Sequence, residues 1–233
     1  MCGRYVLTEA AKFEKAMQLA RVSWSFEVSY NVAPTQSVPA VRMIRKDVEG
    51  GREGLMLRWG LIPFFARGVP PKYSTINATI EKLDSGAAWR GPWSRGQRCI
   101  LPAAGFYEWH LDAGGSKQPY FIHLVDQEVF GFAGLWERSV GADGSVIESC
   151  AIITMPGNDL MRQVHNTGAN PFRMPAILAQ ADYDAWLKGG SAEARAALRQ
   201  YPPDMMVAYQ VSTRVNSPRN NDAKLVEPVT GDR

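Results

Sequence analysis

Apolar residues recur along the first part of the chain at spacings that predict a helix followed by a β-hairpin. Residues 8–20 place four apolar side chains on one helical face, with Thr8 as the expected cap and Glu9 in the first turn. Two apolar runs, residues 38–45 and 55–63, lie on either side of a glycine-rich stretch. This arrangement is typical of two antiparallel strands joined by a turn.

The second half of the chain alternates strand-like and helical patterns. Strands are predicted for residues 99–110, 119–125, 129–138, 147–155 and 205–212, and Gly-rich turns AGGSK and GADGS separate the middle ones. Helices are predicted for residues 158–165, 181–189 and 191–200. We therefore expect one α+β domain over residues 1–233, with a mostly antiparallel, barrel-like sheet flanked by helices.

Residues 64–99 show little periodicity and are rich in Pro, Gly, Ser and Trp. We predict mostly loop here, with a short helix near residues 80–83. A connection of this length inside a compact domain tends to carry function.

Composition narrows the class of protein. Of 233 residues, 45% are hydrophobic, and 26 basic against 23 acidic side chains leave a net charge of only +3. A polyanion partner would therefore need locally focused basic residues. No stretch has the length of a membrane span or the pattern of a signal peptide, so we expect a cytoplasmic protein. Three widely spaced cysteines without a CxxC pair predict neither a zinc site nor a disulfide, and no cofactor or metal is implied.

The opening residues, MCGRY, carry a candidate reactive group. If Met1 is removed, Cys2 presents an α-amine with a pKa of about 7.7 to 8.0 beside a thiol with a pKa of about 8.5. Such an aminothiol suits aldehyde capture, because the amine forms an imine and the thiol then closes a five-membered thiazolidine. The thiol could instead attack an amide, as in N-terminal nucleophile hydrolases, or Cys2 could be a buried small hydrophobe.

Several dense polar-aromatic motifs accompany this start. They are YNVAPTQ at 30–36, RWGLIPFF at 58–65, TINATIEKL at 75–83, GFYEWH at 105–110, IITMPGN at 152–158, VHN at 164–166, FRMPAIL at 172–178 and VSTRVN at 211–216. In this order and spacing the chain resembles, nearly end to end, the SRAP family of abasic-site processing proteins. The resemblance implies a sensor of abasic sites in single-stranded DNA that removes its own Met1 and captures the sugar aldehyde through Cys2. It also implies a lyase-type strand cleavage and slow reversal of the crosslink.

The resemblance implies three catalytic partners for Cys2. Glu108 would protonate the sugar or shuttle protons, His165 would act as acid or base in imine chemistry, and Asn77 would hold the aminothiol and sugar. From the residues alone, Glu108 lies between two aromatic residues that could raise its pKa, yet alternation in a strand also allows it to face solvent. His165 could equally be a helix cap, and Asn77 an ordinary loop residue.

For DNA, the resemblance points to Arg4 and Arg173 as phosphate ligands, Thr154 as a hydroxyl donor and Phe65 as an aromatic wedge near the lesion. Phe64 is a second candidate for the wedge. Looser candidates, equally consistent with solvated surface charge, are Arg58, Arg162 and Arg214. A monomer is the expected state.

The chain departs from the family pattern at two places. Thr79 stands where the family usually has arginine, so we expect weaker DNA binding or replacement by Lys82 or Arg90. Residues 166–172, NTGANPF, form a longer link between His165 and Arg173 than the short link of YedK-like members, so the two residues keep their roles only if this insert loops outward, as we expect.

Two other functions stay open. One is an N-terminal nucleophile amidohydrolase or glutaminase, because glutamine amidotransferase domains also begin Met-Cys-Gly, although no glutamine pocket or fused synthetase domain is recognisable. The other is a non-covalent single-stranded nucleic-acid binder in which Cys2 is idle.

Overall fold

The protein contains two β-sheets with short helices around them. The computed structural model describes residues 2–44 and 50–229. The strands are β1 (Arg4–Leu7), β2 (Leu19–Val22), β3 (Ser29–Val32), β4 (Ser37–Met43), β5 (Arg52–Trp59), β6 (Asn77–Thr79), β7 (Arg98–Ala103), β8 (Gly105–Leu111), β9 (Lys117–Leu124), β10 (Phe130–Val140), β11 (Val146–Pro156), β12 (Arg173–Pro175), β13 (Ile177–Leu178) and β14 (Met206–Gln210). The α-helices are α1 (Ala10–Met17), α2 (Arg90–Ser94), α3 (Asp159–Val164), α4 (Tyr183–Lys188) and α5 (Ser191–Ala197).

The larger sheet closes into a barrel. Strands β11, β10, β7, β4 and β5 pair in that order, all antiparallel, and β5 then pairs in parallel with β11 through Arg58 and Ser149. The short strand β6 runs parallel to β11 and places Asn77 opposite Ile152. The predicted α+β fold with a mostly antiparallel, barrel-like sheet is thereby confirmed.

The smaller sheet brings the start of the chain beside Glu108. Its order is β14-β9-β8-β1-β3, with Arg4 opposite Tyr107 in the antiparallel pair of β1 and β8. Extended by one residue, this register places Gly3 next to Glu108. Tyr5 packs edge-on against Trp59 and Phe132 at 5.2 and 6.0 Å between ring centroids, so the first strand is anchored in the barrel core.

The predicted single strand at 99–110 is wrong in one respect. The run contains two strands, β7 in the barrel and β8 in the smaller sheet, and the chain changes sheets at Ala104. A Cβ atom on Gly105 would lie 2.2 Å from the Phe121 ring, so the crossing requires glycine. The turn-type residues near the change, Pro102 and Gly105, both lie within strands, so the sequence reads as one continuous strand.

The predicted helix at 8–20 is also shorter than expected. It ends at Met17, because Gln18 adopts a left-handed conformation with φ 51°, and residues 19–22 form β2 instead. Thr8 does not cap the helix; Glu9 occupies the cap position, and the Thr8 hydroxyl donates to the Glu9 carboxylate at 2.7 Å.

The other predicted elements are confirmed with small changes of boundary. The hairpin is β4–β5, the later strands are β9, β10, β11 and β14, and the helices are α3, α4 and α5. Residues 64–99 are mostly loop with a 3-10 helix at Ile80–Lys82, but the segment also contains the short strand β6 and the helix α2, which the sequence does not predict. Part of the predicted strand at 38–45 falls on Arg45, which lies outside the described residues.

Candidate functional site

Cys2 is buried two residues before β1 of the smaller sheet and is held by Asn77. The Asn77 Nδ2 donates to the Cys2 carbonyl oxygen at 2.9 Å, and the Cys2 Sγ makes a weak contact at 3.8 Å with the carbonyl oxygen of Arg4. Asn77 is itself buried, and its Oδ1 has no hydrogen-bond partner among the residues that the structure describes. That acceptor is available to a group that enters beside Cys2. Met1 lies outside the described residues.

Glu108 and His165 face each other beside Cys2. Glu108 is 2% exposed on β8, and its Oε2 lies 3.7 Å from the His165 Nε2. His165 caps the carboxyl end of α3, a helix that Asn158 begins by accepting a hydrogen bond from the backbone N–H of Met161. The other ring nitrogen, Nδ1, lies 3.1 Å from the carbonyl oxygen and 3.2 Å from the amide nitrogen of Arg173. The imidazole is therefore fixed from both sides.

Burial sets the protonation of all three groups. It raises the pKa of Glu108 to about 7 and lowers the pKa of His165 to about 4. It also raises the pKa of the Cys2 thiol, and the Glu108 carboxylate adds to that effect. At neutral pH the site thus contains a thiol, a neutral imidazole and a carboxyl group that is partly protonated. The open question of whether Glu108 faces solvent is settled by its burial, and a neutral His165 offers no charge to the helix dipole.

Two cavities open beside this cluster. The first cavity has a volume of about 350 Å³ and is lined by Glu108, Trp109, Lys117, His165, Thr167 and Asn216. The second cavity has a volume of about 470 Å³ and includes Asn77, Thr79, Glu81, Lys82 and Arg173 in its lining. The four predicted catalytic residues therefore meet at one place, with Glu108 and His165 in the wall of one cavity and Asn77 in the wall of the other.

The two predicted phosphate ligands contact protein groups in this structure. Arg173 donates to both carboxylate oxygens of Glu81 at 3.0 and 2.9 Å and to the carbonyl oxygen of Thr154 at 2.8 Å. Arg4 is half-buried and donates to Asn31 Oδ1 at 2.9 Å and to the carbonyl oxygen of Val215 at 2.8 Å. Burial lowers the pKa of Arg4.

Glu81 and Asn31 are functional candidates that sequence reasoning missed. Asn31 is 2% exposed, and its Nδ2 donates to the backbone carbonyl groups of Val215, Ser217 and Asn220. Both residues lie in motifs that carry the family resemblance, TINATIEKL and YNVAPTQ. The motifs indicated importance, but the pairing of each residue with a distant arginine was not visible in them.

Phe65 lies apart from the cluster. Its ring is 51% exposed, packs edge-on against Phe64 at 5.6 Å, and lines neither cavity. Of the looser candidates, Arg58 donates to the Gly60 carbonyl at 2.5 Å and Arg214 pairs with Asp222. Thr154 is buried on β11, where it lies opposite Thr79.

Comparison with known proteins identifies the family. A sequence model described as SOS response associated peptidase (SRAP) matches residues 1–218. The chain belongs to the SRAP family. Abasic site processing protein YoqW of Bacillus subtilis is 36% identical over 97% of this chain and 99% of the relative, and YoaM of the same organism is 37% identical over 97% and 98%. Abasic site processing protein HMCES of Gallus gallus is 31% identical over 88% of this chain and 67% of the relative.

Solved structures show the same fold. A Bacteroides thetaiotaomicron protein matches with a TM-score of 0.80 at 27% identity, over 97% of this chain and 99% of the other. A Bordetella bronchiseptica protein matches with a TM-score of 0.77 at 29% identity, over 91% of this chain and 100% of the other. The SRAP architecture thus accounts for the barrel and for the second sheet.

The insert of this SRAP chain, residues 166–172, differs from the expectation that it loops outward. The backbone N–H of Phe172 donates to the His165 carbonyl at 2.7 Å, so the segment closes on itself and leaves His165 and Arg173 adjacent. Thr167 lines the first cavity and Asn170 the second, however, so the insert does not loop clear of the site as expected. At the other departure, Lys82 shares the second cavity with Thr79, whereas Arg90 is not part of its lining.

Neither a membrane span nor a metal centre is found in the parts of this SRAP chain that the structure describes. No helix within residues 2–44 and 50–229 has the length and apolar character needed to cross a membrane. No group of three or more His, Cys, Asp and Glu side chains in those ranges is placed to hold a metal ion. The described cysteines, Cys2, Cys99 and Cys150, are free thiols.

Proposed function

We propose that this protein processes abasic sites in single-stranded DNA by covalent capture through Cys2, after removal of Met1. Its relatives in Bacillus subtilis and Gallus gallus are named abasic site processing proteins. The observation that carries the proposal is the placement of Cys2 against Asn77, with the buried pair of Glu108 and His165 beside it. An idle cysteine would need none of these polar neighbours, which cost free energy to bury.

The chemistry balances without an oxidant or a cofactor. Hydrolysis of the bond between Met1 and Cys2 consumes one water and frees the α-amine. The neutral amine then attacks the sugar aldehyde, and the resulting carbinolamine loses one water to give an imine. The Cys2 sulfur adds to the imine carbon, and the thiol proton passes to the nitrogen. A thiazolidine and one water are the products, and the closure is fast because both nucleophiles belong to one residue.

Glu108 is the group best suited to move protons in these steps. With a pKa of about 7 it is present both as acid and as base at neutral pH, so it can protonate the carbinolamine hydroxyl, which leaves as water, and later accept the thiol proton. The neutral His165 faces the same carboxyl group and orients it. Asn77 fixes the Cys2 carbonyl and offers its Oδ1 to the freed amine or to a sugar hydroxyl. The same imine would permit strand cleavage by β-elimination, and hydrolysis of the thiazolidine would reverse the crosslink.

For the DNA strand, we propose that Arg173 and Lys82 receive a phosphate at the second cavity, as their location and charge suggest. Thr154 lies on β11, the strand that pairs with β6, and is opposite Thr79. Arg4 and Phe65 complete the set that the family resemblance implies. A phosphate that binds Arg173 would displace the Glu81 carboxylate from the guanidinium.

A denaturing gel tests the proposal. Protein whose Met1 has been shown by mass spectrometry to be absent is incubated with a single-stranded oligonucleotide that contains one abasic site. We expect a shifted band that is lost in Cys2→Ala. Cys2→Ser and Cys2→Ala both keep the α-amine and lack the sulfur, so each should give a band only after borohydride reduction of the imine. Cys99→Ala, which changes a buried cysteine outside both cavities, serves as the matched control and should keep the band.

Four results would contradict covalent capture through Cys2. Complete retention of Met1 would leave no free amine at Cys2. A band that persists in Cys2→Ala would assign the adduct to another residue. Reversible, salt-sensitive binding without any adduct would favour a simple single-stranded nucleic-acid binder, and release of ammonia from glutamine would favour an amidohydrolase.

A further inference from the structure

The insert of residues 166–172 is fastened at both ends to the elements that carry the site. At its start, the Asn166 side chain accepts from the Leu111 backbone N–H at 2.7 Å and donates to the Leu111 carbonyl at 2.9 Å, at the end of the strand that bears Glu108. At its end, Phe172 donates to the His165 carbonyl and accepts from the Gly157 N–H at 2.8 Å. The insert is therefore a fixed part of the site wall.

Phe172 occupies an unfavourable position for a phenylalanine. Its φ is 60°, in the left-handed region that bulky side chains rarely adopt. Its side chain is 49% exposed, so hydrophobic burial does not offset that strain. Glycine or asparagine would suit the backbone better. A ring kept at such a position is consistent with a ligand that covers it.

The surroundings of Phe172 suit a nucleotide. Arg173, the next residue, lines the second cavity. The Arg162 Nε donates at 3.1 Å to the carbonyl oxygen of Gly157, the residue whose N–H holds Phe172. Arg162 and Phe172 are both exposed, and the Arg162 side chain and the Phe172 backbone carbonyl both contact Gly157. Proteins that bind single strands combine such groups, since bases stack on the ring and phosphates contact the cation.

We propose that Phe172 and Arg162 bind the nucleotide next to the abasic site, with the base stacked on the ring and its phosphate at the guanidinium. The insert then adds a stacking position beside the lesion, so strands that carry a base at that position bind more tightly than strands that lack one. This inference rests on the proposed function and specifies the DNA contacts of the same site.

The test uses a substrate that cannot react. A single strand with a tetrahydrofuran in place of the abasic sugar has no aldehyde, so equilibrium binding is measured without the crosslink. Phe172→Asn removes the ring and keeps a residue that accepts a positive φ. We expect its Kd to rise by about 5- to 150-fold, the range for loss of one stacked base. Phe172→Tyr keeps a ring of the same size and serves as the matched control, with binding close to that of the original protein.

A second substrate shows whether the ring contacts a base. When the bases that flank the tetrahydrofuran are replaced by spacers without bases, the original protein and Phe172→Asn should bind equally well. Arg162→Gln should weaken binding to both substrates and reduce the salt slope by about 0.7. Equal affinity of Phe172→Asn and the original protein for the first substrate would overturn the inference, as would an equal loss on both substrates. Failure of covalent capture appears separately, as a missing band with the natural abasic strand.

Discussion

The two cavities differ in how deeply the ionisable side chains in their walls are buried. In the first cavity, Glu108 and His165 are almost fully buried. Burial raises the pKa of Glu108 and lowers the pKa of His165, so both shifts favour the neutral form. In the second cavity, Arg173 and Glu81 form a bidentate pair, the Glu81 side chain is half exposed, and Arg173 lowers the pKa of Glu81. Proton transfer gains from a dry setting that shifts pKa values, whereas phosphate binding needs permanent cations within reach of solvent. The proposed function assigns proton transfer to the first cavity and phosphate binding to the second.

The largest effect should follow from a change in the first cavity. Glu108→Gln keeps the shape and removes the proton-transfer group, so the rate of crosslinking at saturating DNA should fall by about 100- to 10,000-fold. Binding to a strand with a tetrahydrofuran should stay within about twofold, because the charges of the second cavity are untouched. Single-turnover gels and binding isotherms measure the two quantities. A large loss of affinity with an unchanged rate would reverse the roles assigned to the cavities.

Burial of Glu108 also predicts a pH-dependent stability. Its pKa is about 7 in the folded protein against an ordinary value of 4.5, so the folded state holds the proton longer and stability falls as pH rises from 4.5 to 7. The cost above pH 7 is up to about 3 kcal/mol. His165 acts in the opposite sense, because its lowered pKa removes stability as pH falls from 6.5 toward 4.

Comparison with Glu108→Gln isolates the carboxyl contribution, since His165 is common to both proteins. The variant should gain stability over the original protein progressively between pH 4.5 and 7, and the gain should be constant above pH 7. Urea unfolding at a series of pH values measures it. A difference that does not vary with pH would mean that Glu108 titrates normally in the folded state.

The same contrast explains what the sequence could and could not predict. Long runs such as β10 and β11 were predicted because alternation extends over many residues, whereas β1, β6 and β12 have only three or four residues each and show no readable period. Cys2, Asn77, Glu108 and His165 were named in advance from short motifs. The pairing of Arg173 with Glu81 across the second cavity was not, because residues 92 positions apart meet only through the parallel pairing of β6 with β11 and the antiparallel pairing of β12 with β11.

A smaller effect is expected from adding charge to the second cavity. Thr79→Arg restores the residue usual in the family at a half-buried position beside Lys82. One more phosphate contact should tighten binding to the single strand by about 3- to 10-fold, and the salt slope should steepen by about 0.7. Thr79→Lys supplies the same charge without the planar fork and should gain less. The rate at saturation should stay constant, and a change in that rate would show that the second cavity participates in the chemistry.

The smallest effect concerns the ion pair itself. Glu81 holds the guanidinium that we assign to a phosphate, so Glu81→Gln should release Arg173 and tighten DNA binding. Because Glu81 is half exposed, the pair contributes at most about 1 kcal/mol, which limits the gain to about fivefold. Glu128→Gln makes the same change in net charge at an exposed carboxylate that pairs with Lys12, and it should leave binding unchanged. If Glu81→Gln instead weakens binding while Glu128→Gln does not, the carboxylate orients Arg173 for the phosphate and does not compete with it. Each cavity would then contain a carboxylate that assists its function, Glu108 in the first and Glu81 in the second. The remaining difference between the cavities would be the burial of these groups.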